Sequence, residues 1–143
     1  MKLENSVFIQ QPVETVFAFV TDPANNAKWQ TDILEIELIS EGPLSLGYTY
    51  RCVNRFMGQR FDIKVEITGY EPEKRCAYKF NSGNLSGESS YSFEKVNGGT
   101  KLTTLGELDL GFFKMANFLF KRKARAQLRN DMSTLKHILE NGA

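Results

Sequence analysis

Apolar and polar residues alternate with two different periods along this chain, and the change of period marks out its elements. Residues 3–10 alternate as a strand does, with side chains turned to opposite faces in succession. Pro12 then suits the first turn of a helix, with Glu14 close behind at its positive end. Val13, Val16, Phe17 and Val20 follow helical spacing, and Asp22-Pro23 stops this helix and starts a second short one ending at Trp29. A run of strands follows near 33–41, 47–56, 59–70, 75–82, 86–96 and 100–110. Turn signals separate them: Gly42-Pro43, Met57-Gly58, Glu71-Pro72, Ser82-Gly83-Asn84 and Asn97-Gly98-Gly99. Turns this short predict antiparallel neighbours. The clearest alternation is "RFDIKVEIT", with Phe61, Ile63, Val65 and Ile67 on one face and Asp62, Lys64 and Glu66 on the other. After Gly111 the period lengthens. Leu128, Met132, Leu135 and Leu139 recur every three to four residues, which predicts an amphipathic helix over 112–140, about 43 Å long.

These elements constrain one another by size. A flat sheet of seven strands is over about 30 Å wide, whereas one helix is only about 10–12 Å across. The sheet must therefore curl around the long helix, with the two short helices plugging its open side and Trp29 as wall or gate. A cavity between the curved sheet and the straight helix is the expected result.

Composition sharpens this picture. The 143 residues suit one domain, residues 1–143, able to bury a core without staples. Eleven Phe and five Tyr imply a core that is large or that lines a space. A net charge of +1 steers the chain toward neither nucleic acid nor membrane. "MKLENS" lacks the apolar stretch of a signal peptide, and no apolar run nears the roughly 20 residues that span a bilayer, so a cytoplasmic location is expected. Cys52 and Cys76 fall on strands separated by another strand, about 9.5 Å apart, too far for a disulfide.

Period-two reading of the strands yields an inward set. It holds Tyr48, Tyr50 and Cys52, then Phe61, Ile63 and Val65, then Cys76, Tyr78 and Phe80. Later strands add Ser89, Tyr91 and Phe93, then Leu102, Thr104 and Leu108. On this register no carboxylate, histidine or lysine of the strands faces inward, which suits an apolar ligand fixed by a few hydroxyl groups. The competing reading is that these side chains meet and fill the interior. A bulge would reverse one strand and bring Arg51 or Glu88 inward.

Other chemistry is thin. His137, the only histidine, and two separated cysteines make no metal-ligand cluster. "GESSYS" at 87–92 lacks a nucleophile elbow, and "NGG" at 97–99 is a hairpin turn, not a phosphate loop. Asp32 with Glu35 reads as a solvated pair. "FFKMANFLFKRKARAQLR" sets an aromatic helix start beside Lys121, Arg122, Lys123, Arg125 and Arg129. It reads either as a lip for anionic headgroups or, the favoured alternative, as buried first turns followed by a solvated basic face. Phe56-Met57-Gly58 at a hairpin tip suits a cavity rim or a dimer contact.

The element order, together with "IQQPVETVFAFVTDPANNAKW", "NGGTKLT" and "LKHILENG", resembles the START-like (SRPBCC) superfamily. That superfamily includes polyketide cyclases, the Bet v 1 allergens and lipid-transfer domains. The chain is most similar to its bacterial polyketide cyclase/dehydrase and lipid-transport family, over about residues 3–140. The resemblance implies an α+β helix-grip fold: a seven-stranded curved antiparallel sheet, two short helices after the first strand, and one long C-terminal helix across the concave face. It also implies binding, and transport, of a hydrophobic small molecule or lipid; from the residues themselves no cofactor and no metal are expected. The expected ligand-binding residues are Trp29, Tyr50, Phe61, Ile63, Tyr78, Phe80, Tyr91, Phe93, Thr104 and Leu108, with Phe112, Met115 and Leu119 from the last helix. Two alternatives stay open. One is a metal-free cyclase, dehydratase or hydrolase on a polyketide-like substrate, with Glu88, Arg51 and Tyr91 as candidate catalytic groups. The other is a protein-interaction module. No nucleic-acid partner is expected; the chain is read as monomer or homodimer, with transient contact to a membrane surface compatible with its basic helix.

Overall fold

The computed structural model describes residues 1–31, 33–83, 85–109 and 117–142. Asp32, Asn84 and residues 110–116, including Phe112, Phe113 and Met115, lie outside the described residues, as does the expected start of the last helix. The described chain runs β1 (Lys2–Ile9), α1 (Val13–Thr21), a 3-10 turn (Pro23–Asn25), α2 (Asn26–Trp29), β2 (Ile33–Leu38), β3 (Thr49–Phe56), β4 (Gln59–Glu71), β5 (Arg75–Ser82), β6 (Leu85–Val96), β7 (Gly99–Asp109) and α3 (Asn117–Glu140).

All seven strands form one antiparallel sheet in the order β1-β7-β6-β5-β4-β3-β2, so β2 and β1 are its edges. Each turn joins neighbours in a meander, and only β1 travels across to pair with β7. The hairpin between β6 and β7 turns on Asn97 and Gly98, both at positive φ (47° and 80°), the conformation that a tight two-residue turn demands. The second edge strand is shorter than its apolar pattern predicts. It stops at Leu38 because the amides of Ile39 and Ser40 both turn to the carbonyl of Thr49.

Register decides which side chains share a face. Pairing slips at only two places among the described strands, between Ile33 and Glu35 and between Ile67 and Gly69. The second slip places Thr68 and Gly69 between the inward-facing Ile67 and Tyr70 and so keeps both on the same face. Elsewhere alternation holds, giving inward ladders such as Tyr50, Val65, Phe80 and Gly87 across four strands. Arg51 and Glu88 fall on the opposite, convex face, so no bulge brings either of them inward. There Arg51 makes a two-pronged contact with Asp62, both bonds at 2.7 Å, and lies 3.5 Å from Glu35 and 3.6 Å from Glu37.

The core gathers where α1 and the C-terminal half of α3 meet the sheet. Ile9, Val16, Val20, Ile67, Leu102, Met132 and Leu135 are at most 1% exposed. The Phe17 ring packs edge-on against Phe93 at 5.0 Å. Side-chain bonds tie α3 to β1 and its exit: Gln11 donates to the carbonyl of Leu139 at 2.9 Å, and Glu140 accepts from the amide of Gln10 at 2.8 Å. Lys136 donates to the Phe8 carbonyl and to Glu140. Both cysteines are buried thiols. His137 is exposed on α3.

Candidate functional site

The helix is fastened at the β1 edge by its C-terminal half, and space opens beneath the other half. A pocket of about 190 Å³ lies between α1, α2 and the concave face of β3–β6. A second, of about 230 Å³, lies between that face and the Phe120–Asp131 stretch of α3. The two adjoin, sharing Asn54, Ile63 and Phe80 as a common wall. Each far exceeds the roughly 10–15 Å³ that one water occupies on a comparable measure. Side chains do not meet throughout the gap.

Local packing shapes this wall. Phe80 can lie flat over the strand beside it because Gly87 has no side chain; a β-carbon there would come within 2.8 Å of the Phe80 ring and 2.2 Å of the Glu107 carbonyl oxygen. Tyr91 stands at the centre of an aromatic group, 5.7 Å from Tyr78, 6.3 Å from Trp29 and 6.5 Å from Phe93 between ring centroids. Phe56 closes the far end with its ring edge-on to Phe120 at 4.8 Å.

The sequence-predicted residues divide into groups. Tyr50, Tyr78 and Tyr91 line the first pocket, Phe61 and Leu108 the second, and Ile63 and Phe80 both. Trp29 stands behind Tyr91, 4% exposed, and Phe93 is core against Phe17. Thr104 is buried, its hydroxyl 3.4 Å from the Met132 sulfur. Leu119 is 48% exposed and Phe118 81%, so these first described turns of α3 are not covered by the sheet as the favoured sequence reading held. Arg122, Lys123, Arg125 and Arg129 are exposed, as that reading expected. Of the three candidate catalytic groups only Tyr91 reaches a pocket between sheet and helix; Arg51 and Glu88 are separated from it by the thickness of the sheet.

Two residues outside the predicted set complete the site, although Asn54 continues the Tyr50, Cys52 alternation of its strand. Asn54, on β3, has an amide oxygen that is buried with no hydrogen-bond partner among the described residues, a property it shares with the Trp29 indole nitrogen. Such an atom costs about 1–3 kcal/mol unless something satisfies it. Asp131, on α3, is 6% exposed and lines the second pocket. Its Oδ1 accepts from the Thr31 amide at 3.0 Å and from the Thr31 hydroxyl. Gln127, one turn earlier, donates to the Thr31 carbonyl at 3.3 Å. The sequence did carry a signal for Asp131: it sits three residues after Leu128, inside the apolar stripe, where a carboxylate has no solvent reason to be.

Burial governs the ionisable groups. Desolvation pushes the Tyr50, Tyr78 and Tyr91 phenols well above their ordinary 10.0, with neighbouring charge adding to it, Asp131 among the contributors at Tyr91. Burial likewise pushes the Cys52 thiol up to about 11 from 9.0, which removes it as a nucleophile at neutral pH. These groups are uncharged donors. They also make stability fall with alkali. From about pH 9 the unfolded thiol, and from about pH 10 the unfolded phenols, release protons that the folded chain retains, so the unfolded state gains. Each such group contributes about 1.4 kcal/mol per pH unit. Urea midpoints should therefore hold steady to about pH 9 and drop progressively above it, less steeply for Tyr50→Phe; a midpoint unchanged to pH 10.5 would contradict the burial of these phenols.

A curved antiparallel sheet gripping one long helix, with a partly apolar space between, defines the helix-grip class of α+β proteins. Within it, the chain belongs to the family described as polyketide cyclase/dehydrase and lipid transport, which matches residues 1–135. Among solved structures it is similar to a conserved protein from Geobacillus kaustophilus, at 16% identity and a TM-score of 0.83 over 99% of this chain and 96% of that one. It is also similar to Ara h 8.0201, at 14% identity and a TM-score of 0.71 over 97% of each chain. A further likeness is to BexL, a di-domain ARO/CYC from the BE-7585A biosynthetic pathway, at 18% identity and a TM-score of 0.77. That match takes in 98% of this chain and 50% of BexL. Identities this low establish a shared fold alone. No curated protein matches the chain in sequence. No described helix is long and apolar enough to cross a membrane.

Proposed function

We propose that this protein binds a hydrophobic small molecule or lipid in the two adjoining pockets that the concave face of the sheet forms with α1 and α2 and with α3, and carries it. The observation that supports this most directly is their common wall. Ile63 and Phe80 offer apolar surface to both spaces, while Asn54 offers a buried amide oxygen that no described residue satisfies. The phenols of Tyr50, Tyr78 and Tyr91 supply hydroxyl groups for orientation at the deep end. The family description, which includes lipid transport, agrees with a carrier. Native mass spectrometry of the purified protein, followed by Nile red titration, tests the reading. A co-purified small molecule released on denaturation, or saturable dye binding at one site, is the expected result. Neither appearing would end it.

A second reading, an enzyme acting on a polyketide-like substrate, gains support from one observation: the buried Tyr91 phenol lines the first pocket and the buried Asp131 carboxylate the second, which adjoins it. Such a pair can serve as base and acid around a ligand carbonyl. Under that reading Tyr91→Phe abolishes turnover of a β-polyketone analogue while Nile red still binds; a variant that turns over as the wild type does would remove Tyr91 from that role.

A further inference from the structure

We propose that the site selects neutral, hydroxyl-bearing hydrophobic ligands over ligands carrying a carboxylate, and that Asp131 makes the distinction. The inference rests on the binding reading above and names its ligand class. Among the described residues lining the two pockets there is no lysine, arginine or histidine. Among the described residues of those walls, Asp131 is the one acidic or basic side chain. Buried carboxylate ligands need a counter-ion or several strong donors, and a second carboxylate nearby makes matters worse. Arg51 is on the convex face among Asp62, Glu35 and Glu37, and Arg122, Lys123, Arg125 and Arg129 are exposed.

Asp131 cannot readily swing out of the way. Two hydrogen bonds from Thr31, one from the backbone and one from the hydroxyl, fix its Oδ1 at the junction of α2 and β2. Its neighbour across the second pocket is Asn54, whose unsatisfied amide oxygen is also an acceptor. A ligand hydroxyl can donate to this acceptor-rich wall, whereas a carboxylate can only accept. At the other end the phenols donate without charge, which suits a carbonyl or ether oxygen. The chain's net charge of +1 gives no long-range repulsion of anions, so the discrimination is local to the pocket.

Calorimetric titration of the purified protein with naphthalenemethanol and with naphthoate at neutral pH tests this. The two probes share a ring system and differ in the charge of one group. Wild type should bind the alcohol at least about tenfold more tightly. Asp131→Asn, which keeps an oxygen for Thr31 and loses the charge, should raise naphthoate affinity at least about fivefold and so shrink the alcohol-to-naphthoate affinity ratio at least as much. Gln127→Lys, which sets a cation one turn from Asp131 on the same wall and offsets its charge, should raise naphthoate affinity with the Asp131 side chain itself retained, and so reads the effect even if the first variant is poorly folded. Equal wild-type affinity for both probes, or variants that leave the ratio unchanged, overturns the inference while the pocket stands. Failure of both probes and of Nile red to bind overturns the pocket reading and the inference with it.

Discussion

Ile63→Trp should cost the protein at least about tenfold in affinity for Nile red while leaving its far-ultraviolet circular dichroism unchanged. Ile63 belongs to the wall common to both pockets, so an indole at this position projects into each of them. Overpacking a filled core costs about 1–3 kcal/mol because neighbours must leave their rotamers. Here the added atoms have an empty volume to enter, and the loss of stability should fall at or below the bottom of that range. The two readouts therefore separate: binding collapses and folding does not. Should the dye bind Ile63→Trp as it binds wild type, it occupies some other surface and the pocket is not the site. Should the variant unfold instead, the space is less open than its volumes indicate.

Leu135→Ala should destabilise the fold by about 2–5 kcal/mol. Leu135 is 0% exposed, on the helix that packs along β1, in one buried cluster with Ile9, Val13 and Met132. The truncation removes buried methyl groups at the place where the helix is fastened, and helix and sheet are both held by many other contacts, so collapse around the void is incomplete. Against a total stability of about 5–15 kcal/mol this is a large fraction. The melting temperature should drop by roughly 10 °C. Urea denaturation with an unchanged m-value would report the change as stability alone. A loss below about 1 kcal/mol would show that α3 is anchored elsewhere, and would undo the argument that a fixed C-terminal half leaves the other half standing clear of the sheet.

Much of this architecture is visible in the residue pattern for a plain reason. Strands and helices wet on one face must alternate with periods of 2 and 3.6, and "RFDIKVEIT" and the Leu128, Met132, Leu135, Leu139 stripe do so without ambiguity. The same alternation puts Tyr50, Tyr78 and Tyr91 on the concave face and Arg51 and Glu88 on the convex one, because the extra residue at each slip of register lies in β2 or β4 and leaves β3, β5 and β6 alternating. The separation of wall from core was less legible. Tyr91 and Phe93 alternate identically, yet one reaches the pocket and the other packs on Phe17, since distance from α1 is not written in a strand's period.

Asp131 and Asn54 mark the limit most clearly. The chain's own pattern determined the order of elements, the direction of each face and an interior rich in phenols and free of strand-borne charge, because those follow from local periodicity and turn chemistry. Only the tertiary structure decided that α3 presses its C-terminal half to β1, that Thr31 grips a carboxylate 100 residues away, and that an asparagine oxygen is buried with no partner among the described residues. Those outcomes depend on where a rigid helix first makes contact with a curved sheet, a property of the assembled surfaces that no single segment possesses.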